Sequence, residues 1–179
     1  MKLFEELIHS DYKYKGKIIN LREDDVKLPD GQPAKREVIE HPGGVSILAI
    51  TDDNKILMVE QFRAGPRVVT LEVPAGKLEY GEDPKLCGLR ELTEETGYKA
   101  GTFELIGSFY LTPGYTNELI YIYVARGLTY DKFNPDDDEF LNIKAYDYDK
   151  LLQMVKNNEI KDAKTVISIL FAKEYIEVK

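Results

Sequence analysis

The stretch AGKLEYGEDPKLCGLRELTEETGY, Ala75 to Tyr98, decides how the rest of the chain is read. A Pro-Ala-Gly turn (Pro74, Ala75, Gly76) leads through Gly81, Glu82, Asp83 and Pro84 into a helical run that stops at Gly97. Asp83 is the expected N-cap, its carboxylate accepting N–H groups that the first turn leaves unpaired, and Pro84 suits the first helical position. Gly97 suits the left-handed position after the last turn. At about 100° per residue, Leu86, Leu89, Leu92, Thr93 and Thr96 are expected on one side of this helix and Glu91, Glu94 and Glu95 on the other. Carboxylates gathered on one face repel by roughly a few tenths of a kcal/mol per i,i+4 pair. A hard divalent cation, which takes oxygen ligands, is the simplest compensation.

The chain has 179 residues, with 43% hydrophobic and 31% charged, the balance of a soluble globular protein with room for a sizeable core. Its formal net charge is -8. No Lys/Arg block is present, which argues against duplex nucleic acid as a partner, since such binding depends on neutralising phosphates. An acidic protein that handles phosphate-rich substrates needs metal ions and a few placed arginines. The single cysteine, Cys87, excludes an intramolecular disulfide and fits a reducing compartment. It reads as a packing residue of the helix rather than a nucleophile. The first residues, MKLFEELIHSDYKYKGK, carry acidic groups and no long apolar run, so neither a targeting segment nor a membrane span is expected and the protein is placed in the cytoplasm.

Taken in order, residues 1–40 are expected to form an N-terminal β extension and residues 41–179 the main domain. Between Tyr12 and Val38, short strands flank a Pro29-Asp30-Gly31-Gln32 turn. This part has too little apolar content for a core of its own, so it is expected to pack on the main body or on a second subunit. Val45 to Thr51, Lys55 to Phe62, Val68 to Val73, Thr102 to Leu111, Glu118 to Arg126 and Leu141 to Tyr146 read as strands. Two tail helices are expected, over Tyr148 to Asn157 and Ala163 to Tyr175. Strands interrupted by few helices give an α+β class.

Gly76, five residues, Glu82, seven residues, then Arg90-Glu91-Leu92-Thr93-Glu94-Glu95-Thr96-Gly97 matches the signature of the Nudix hydrolases. Tyr98 stands where that signature prefers an aliphatic residue, a position read as core packing. Val59-Glu60-Gln61-Phe62-Arg63, Glu72 to Glu79, Leu111 to Glu118 and Ile160 to Thr165 further resemble the ADP-ribose pyrophosphatase branch, so the likeness extends over about residues 15 to 175. The resemblance implies a mixed sheet sandwiched between helices (α/β/α). It also implies hydrolysis of the diphosphate of ADP-ribose or a related ADP-sugar, with Mg²⁺ or Mn²⁺. Another nucleotide sugar, such as GDP-mannose, and a ligand sensor that does not hydrolyse are the rival readings. A sensor would be expected to have lost box carboxylates that this chain keeps.

The diphosphate is shielded from nucleophiles by its own charge, and divalent metals offset that charge and acidify a bound water. By resemblance, Glu91, Glu95 and the backbone carbonyl of Ala75 are the metal ligands. Glu94 would act through water, and Glu82 is either a further ligand or a residue behind one. Arg90 is expected to orient a carboxylate. The resemblance puts the base, or a further ligand, in the acidic loop Asp136-Asp137-Asp138-Glu139, with Glu139 first and Asp137 second. That loop lacks the glycine and terminal glutamate spacing of an EF-hand. Arg63 and Arg36 are candidates for the phosphates, because a guanidinium fork suits phosphate oxygens. Pro113, Gly114 and Glu118 are assigned to the substrate, Glu118 at the ribose hydroxyls. A homodimer is implied, with the adenine wall built from the partner's N-terminal segment near Lys17 and Ile18 and Arg36 reaching across. His41, before Pro-Gly-Gly, reads as a turn residue.

Overall fold

The computed structural model describes residues 3–133 and 140–176. The chain divides into two compact units, Met1–Gly43 with Tyr110–Leu119, and Gly44–Phe109 with Ile120–Lys179. Among the described residues no helix is long and apolar enough to cross a membrane.

The first unit is an antiparallel sheet of β1 (Glu6–Lys15), β2 (Asn20–Lys27) and β3 (Pro33–Glu40), in that order. The turn between β2 and β3 is where Pro29-Asp30-Gly31-Gln32 puts it. Leu28 and Gln32 close it with a 2.8 Å hydrogen bond, and Gly31 takes φ 88°, a left-handed conformation that costs glycine little. The sheet is laced by polar contacts: Arg22 Nη1 lies 2.6 Å from Asp24 Oδ2, and Ser10 Oγ donates to Asp24 Oδ1 at 2.7 Å. Val26 is the only buried apolar side chain among the unit's described residues, while Leu7, Ile8, Tyr12 and Tyr14 of β1 are exposed. Tyr110–Leu119 joins through Ile39, whose N–H donates to Tyr115 O at 2.8 Å, and through His41, whose N–H donates to Asn117 Oδ1 at 2.8 Å.

The second unit carries β4 (Gly44–Ala49), β5 (Lys55–Arg63), β6 (Val68–Glu72), β7 (Ala75–Lys77), α1 (Pro84–Thr96), β8 (Tyr98–Lys99), β9 (Thr102–Tyr110), β10 (Leu119–Arg126), β11 (Thr129–Tyr130), β12 (Asn142–Asp147), α2 (Tyr148–Lys156) and α3 (Ala163–Ala172). One sheet has the order β7-β4-β10-β9, with β4 parallel to β10 and antiparallel to β7. A second, β12-β5-β6, is antiparallel, and β8 pairs with β11. The class is α+β, as the pattern of elements requires.

β4 shows why this unit is layered. Every one of its residues is buried, and its side chains alternate between two cores. Val45, Ile47 and Ala49 pack with Cys87 and Leu92 of α1. Leu48, followed by Ile50, packs with Leu151 of α2 and Ile169 of α3. A strand with a helix on each face reads as an unbroken apolar run, as Val45–Ile50 nearly does. Ser46 is the polar interruption, and its hydroxyl lies 3.3 Å from that of Ser168.

α1 is capped as its sequence dictates. Asp83 Oδ1 accepts from the N–H groups of Lys85 and Leu86 at 2.9 and 3.1 Å, Pro84 opens the helix, and Gly97 closes it at φ 78° with its N–H on Thr93 O. Such a cap stabilises by about 1 kcal/mol. The inward side of the helix keeps part of the face its leucines suggest, with Leu92 in the core and Leu89 packed on it, and extends onto the glutamates. Leu86 is exposed, whereas Glu91 and Glu95 are buried along with Leu92 and Thr96. The cause is β7, which packs against the glutamate-bearing side of α1 and supplies polar contacts there.

Candidate active site

The corner from β6 through β7 into α1 brings Ala75, Gly76, Glu91 and Glu95 together. Glu95 is 2% exposed, and its Oε2 accepts the Ala75 N–H at 2.8 Å. Gly76 must be glycine for a packing reason: a Cβ there would stand 1.8 Å from Glu91 Cδ and 2.1 Å from Oε1. The Glu91 carboxylate thus fills the place of a missing side chain and lies against the strand backbone. Glu91 and Glu95 are one turn apart, so their charges repel at the buried edge of the helix.

Arg90 gathers the remaining charge. Its Nη1 reaches Glu91 Oε1 at 2.9 Å and Glu94 Oε2 at 2.8 Å, and its Nη2 reaches Glu82 Oε1 at 3.3 Å. Burial opposes the guanidinium charge, but Glu91 and Glu94 outweigh that and raise its pKa. Glu82 in turn accepts the Glu79 N–H at 2.9 Å, and that hydrogen bond leads the causes that lower its pKa. Three glutamates therefore share one arginine. Among the described residues, no three acidic, histidine or cysteine groups converge at metal-ligand spacing, with Arg90 lying among the carboxylates. The donor chemistry still suits a hard divalent ion: the clustered side-chain donors are carboxylate oxygens, and two of them belong to nearly buried side chains. Cys87, buried beside them, is held as the thiol. Burial first, then Glu91 and Glu82, push its pKa up to about 12.

Arg63 lies behind the corner. Its Nε and Nη2 form a fork on Glu72 at 2.8 and 2.7 Å. Glu72 is 3% exposed and is also held by Lys164 Nζ and Thr70 Oγ1. Burial pushes the Glu72 carboxyl up, but Arg63, Lys164 and Thr70 more than reverse this and bring it to about 2 from an ordinary 4.5. A cleft of about 710 Å³ opens beside this network, lined by Arg63, Val68, Val69, Glu72, Lys161 and Asp162 among others. A pH dependence follows. Glu72 titrates lower in the folded chain than in the unfolded one, so its stabilisation is complete above about pH 4.5 and is lost as the pH falls toward 2. The difference corresponds to about 3 kcal/mol. Glu72→Gln is expected to lower stability by about that amount at pH 7, and its thermal melts should converge on the wild type's as the pH approaches 2. Parallel curves at all pH values would exclude this role for Glu72.

Arg36, Pro113, Gly114 and Glu118 fall in the first unit. Arg36 pairs with Glu5 through Nη2 at 2.6 Å and Nε at 3.0 Å, on the surface. Pro113 and Gly114 lie in the bend before β10, where Gly114 faces open space. Glu118 Oε1 lies 3.6 Å from His41 Nδ1, and that same nitrogen accepts the Gly43 N–H at 3.1 Å, as a turn residue should. Asp137 and Glu139 lie outside the described residues. Asp162, Lys164 and Thr165 of the network belong to the Ile160 to Thr165 segment that carries part of the resemblance, but sequence reasoning assigned none of them a role. A signal was present in Glu72, a charge inside an apolar strand just before Val73-Pro74, because a buried carboxylate needs a cationic partner somewhere.

Residues 40–167 match the NUDIX domain, and residues 5–39 match the nucleoside diphosphate sugar hydrolase N-terminal domain. The chain is 47% identical over 174 residues to the methanol dehydrogenase activator of Bacillus methanolicus, covering 95% of this chain and 94% of that protein. It is 41% identical over 179 residues to the ADP-ribose pyrophosphatase of Bacillus subtilis (strain 168), covering 99% and 95%. A crystal structure of an ADP compounds hydrolase superposes with a TM-score of 0.85 over 98% of this chain and 96% of that one, at 19% identity, a likeness of fold. A capped helix carrying Arg90, Glu91, Glu94 and Glu95, set against a glycine-opened strand and matched over most of its length by one family, makes this chain a Nudix hydrolase.

Proposed function

We propose that this chain hydrolyses the pyrophosphate bond of ADP-ribose and related ADP-sugars, releasing AMP and ribose 5-phosphate, as a cytoplasmic homodimer that uses Mg²⁺ or Mn²⁺. The observation that carries the reading is the gathering of the nearly buried Glu91 and Glu95 against Ala75 and Gly76, an oxygen-donor corner of the kind a hard divalent ion takes. Hydrolases of this family generally need a divalent metal. The relative named ADP-ribose pyrophosphatase, 41% identical over nearly the whole of both chains, supports the choice of substrate.

In this reading Glu91, Glu95 and the Ala75 carbonyl hold the ion, Glu94 acts through water and Glu82 stands behind. When bound, the ion offsets diphosphate charge and lowers the pKa of a coordinated water. Arg90 keeps the carboxylates apart and oriented. Arg63 and Arg36 face the phosphates, Pro113, Gly114 and Glu118 the ribose, and Glu139, with Asp137 second, takes the proton from the attacking water. The N-terminal sheet, with its exposed β1 face and little buried apolar surface, supports pairing with a second copy.

The test is purified protein with Mg²⁺ and ADP-ribose, with products resolved by chromatography. AMP and ribose 5-phosphate in equal amounts are expected, and kcat/KM for ADP-ribose should exceed that for GDP-mannose. No AMP from any ADP-sugar would end the proposal, while a preference for GDP-mannose would move it to another nucleotide sugar. The relative named methanol dehydrogenase activator favours a second reading, in which the chain stimulates a dehydrogenase. Stimulation of a methanol dehydrogenase by Glu95→Gln as strong as by the wild type would make that effect independent of hydrolysis.

A further inference from the structure

The four residues that lead into the metal corner are each tied to another segment of the second unit. Glu72 is held by Arg63 and Lys164. The Val73 N–H donates to Thr165 Oγ1 at 3.0 Å, a buried contact. The Pro74 carbonyl accepts the Ile47 N–H at 2.8 Å, and the Ala75 N–H goes to Glu95. Two of these four ties come from the start of α3, ninety-two residues further along the chain.

Thr165 is fully buried, and its hydroxyl does two jobs at once. Asp162 Oδ2 lies 2.6 Å from Thr165 Oγ1 and 3.0 Å from Thr165 N. A carboxylate can only accept and an amide N–H can only donate, so the proton direction is fixed: the hydroxyl donates to Asp162 and accepts from Val73. Only a hydroxyl of this reach satisfies both neighbours. Lys164 Nζ bridges the same two acidic residues, Glu72 and Asp162, at the same helix start. The Asp162 side chain is therefore pinned from two directions and cannot swing away from Thr165.

We propose that Thr165 is a positioning residue for the metal corner. Through the Val73 N–H, the start of α3 fixes the path of the chain into Ala75 and so the register between the Ala75 backbone and Glu95. The proposal rests on the reading of Ala75, Glu91 and Glu95 as the divalent-ion site. A hydroxyl-to-methyl change leaves volume and packing nearly unaltered but takes the acceptor from the Val73 N–H and one of three donors from the Asp162 carboxylate. Without that tie the strand end gains freedom two residues from the Ala75 carbonyl.

The experiment measures Mn²⁺ binding to the full chain by the loss of the free-ion EPR signal, beside the thermal melt of each variant. Wild-type binding that Glu95→Gln removes is the reference. Thr165→Val is expected to weaken Mn²⁺ about 10-fold, in the range that residues behind a ligand command, and Thr165→Ser to stay within about twofold of the wild type. If Thr165→Val is insoluble, Asp162→Ala, which frees the hydroxyl from its acceptor, is expected to weaken Mn²⁺ in the same direction. Wild-type affinity in a folded Thr165→Val, or in Asp162→Ala where that is the variant measured, overturns the proposal alone. So does equal weakening by the serine and valine variants, since shape rather than the hydroxyl would then matter. A wild type that binds no Mn²⁺ at all removes the metal-site reading and the proposal with it.

Discussion

Glu95→Gln is expected to lower kcat by upwards of about 100-fold, beyond what losing a residue behind a ligand costs, with a melting temperature within a few degrees of the wild type. The two parts of this expectation have different causes. Glu95 Oε2 accepts the Ala75 N–H, and a glutamine amide oxygen can accept the same bond, so the corner keeps its shape. Removing one of two charges a turn apart relieves a repulsion of roughly a few tenths of a kcal/mol. The new NH₂ group needs an acceptor, which costs about 1 kcal/mol if none is found. These terms nearly cancel, and about 1 kcal/mol is only 2–4 °C for a chain of this size. The chemistry has no such compensation. A neutral amide is a far poorer ligand for a hard divalent ion than a carboxylate, and the charge opposite the diphosphate is lost. Steady-state kinetics over a Mg²⁺ titration, with a thermal melt of each sample, separates the two. A variant at full rate would show that Glu95 holds no ion.

Much of this was legible along the chain because it depends on local chemistry. Asp83, Pro84 and Gly97 mark both ends of α1 through caps that need only neighbours in sequence. The Gly31 turn and the apolar run of β4 are of the same kind. What the sequence concealed is set by contacts between distant segments. Helical spacing groups Leu86 with Leu89, Leu92, Thr93 and Thr96, and Leu92 and Thr96 are buried, yet Leu86 is exposed and Glu91 and Glu95 are buried where β7 rests against the helix. β7 itself is three residues after a proline, too short for any periodicity to show. It is a strand because Ser46, Val45 and Gly44 pair with it. Glu72 looks like a stray charge in a strand until Lys164 is seen beside it. Arg63 is a candidate for the phosphates by its residue type alone, and its fork on Glu72 shows only once β5 and β6 are paired. These misses share a cause: a buried polar group advertises a need for a partner without saying where in the chain the partner lies.

Gly76→Ala should separate the fold from the site most sharply. The added Cβ would lie 1.8 Å from Glu91 Cδ and 2.2 Å from Cγ, so one side must move. The strand cannot retreat. Gly76 pairs with Val45, which is fully buried, and the neighbouring Pro74 carbonyl is fixed by Ile47 N–H. Glu91 must therefore leave, and its 2.9 Å bond with Arg90 Nη1 goes with it. Overpacking of this kind costs about 1–3 kcal/mol. Alanine recovers about 0.4–1 kcal/mol by restricting the unfolded chain. A net loss of about 1–2 kcal/mol, or roughly 2–8 °C, is expected, whereas activity should fall by more than about 100-fold because a displaced Glu91 no longer shares an ion with Glu95. A double-mutant cycle identifies the cause. In a Glu91→Ala background the Cβ meets no carboxylate, so Gly76→Ala should cost little or even stabilise, and the two stability changes should be non-additive by about 1 kcal/mol or more. Additive changes would mean that the carboxylate of Glu91 does not occupy the space beside Gly76, and the close approach of β7 to α1 would have to be redrawn.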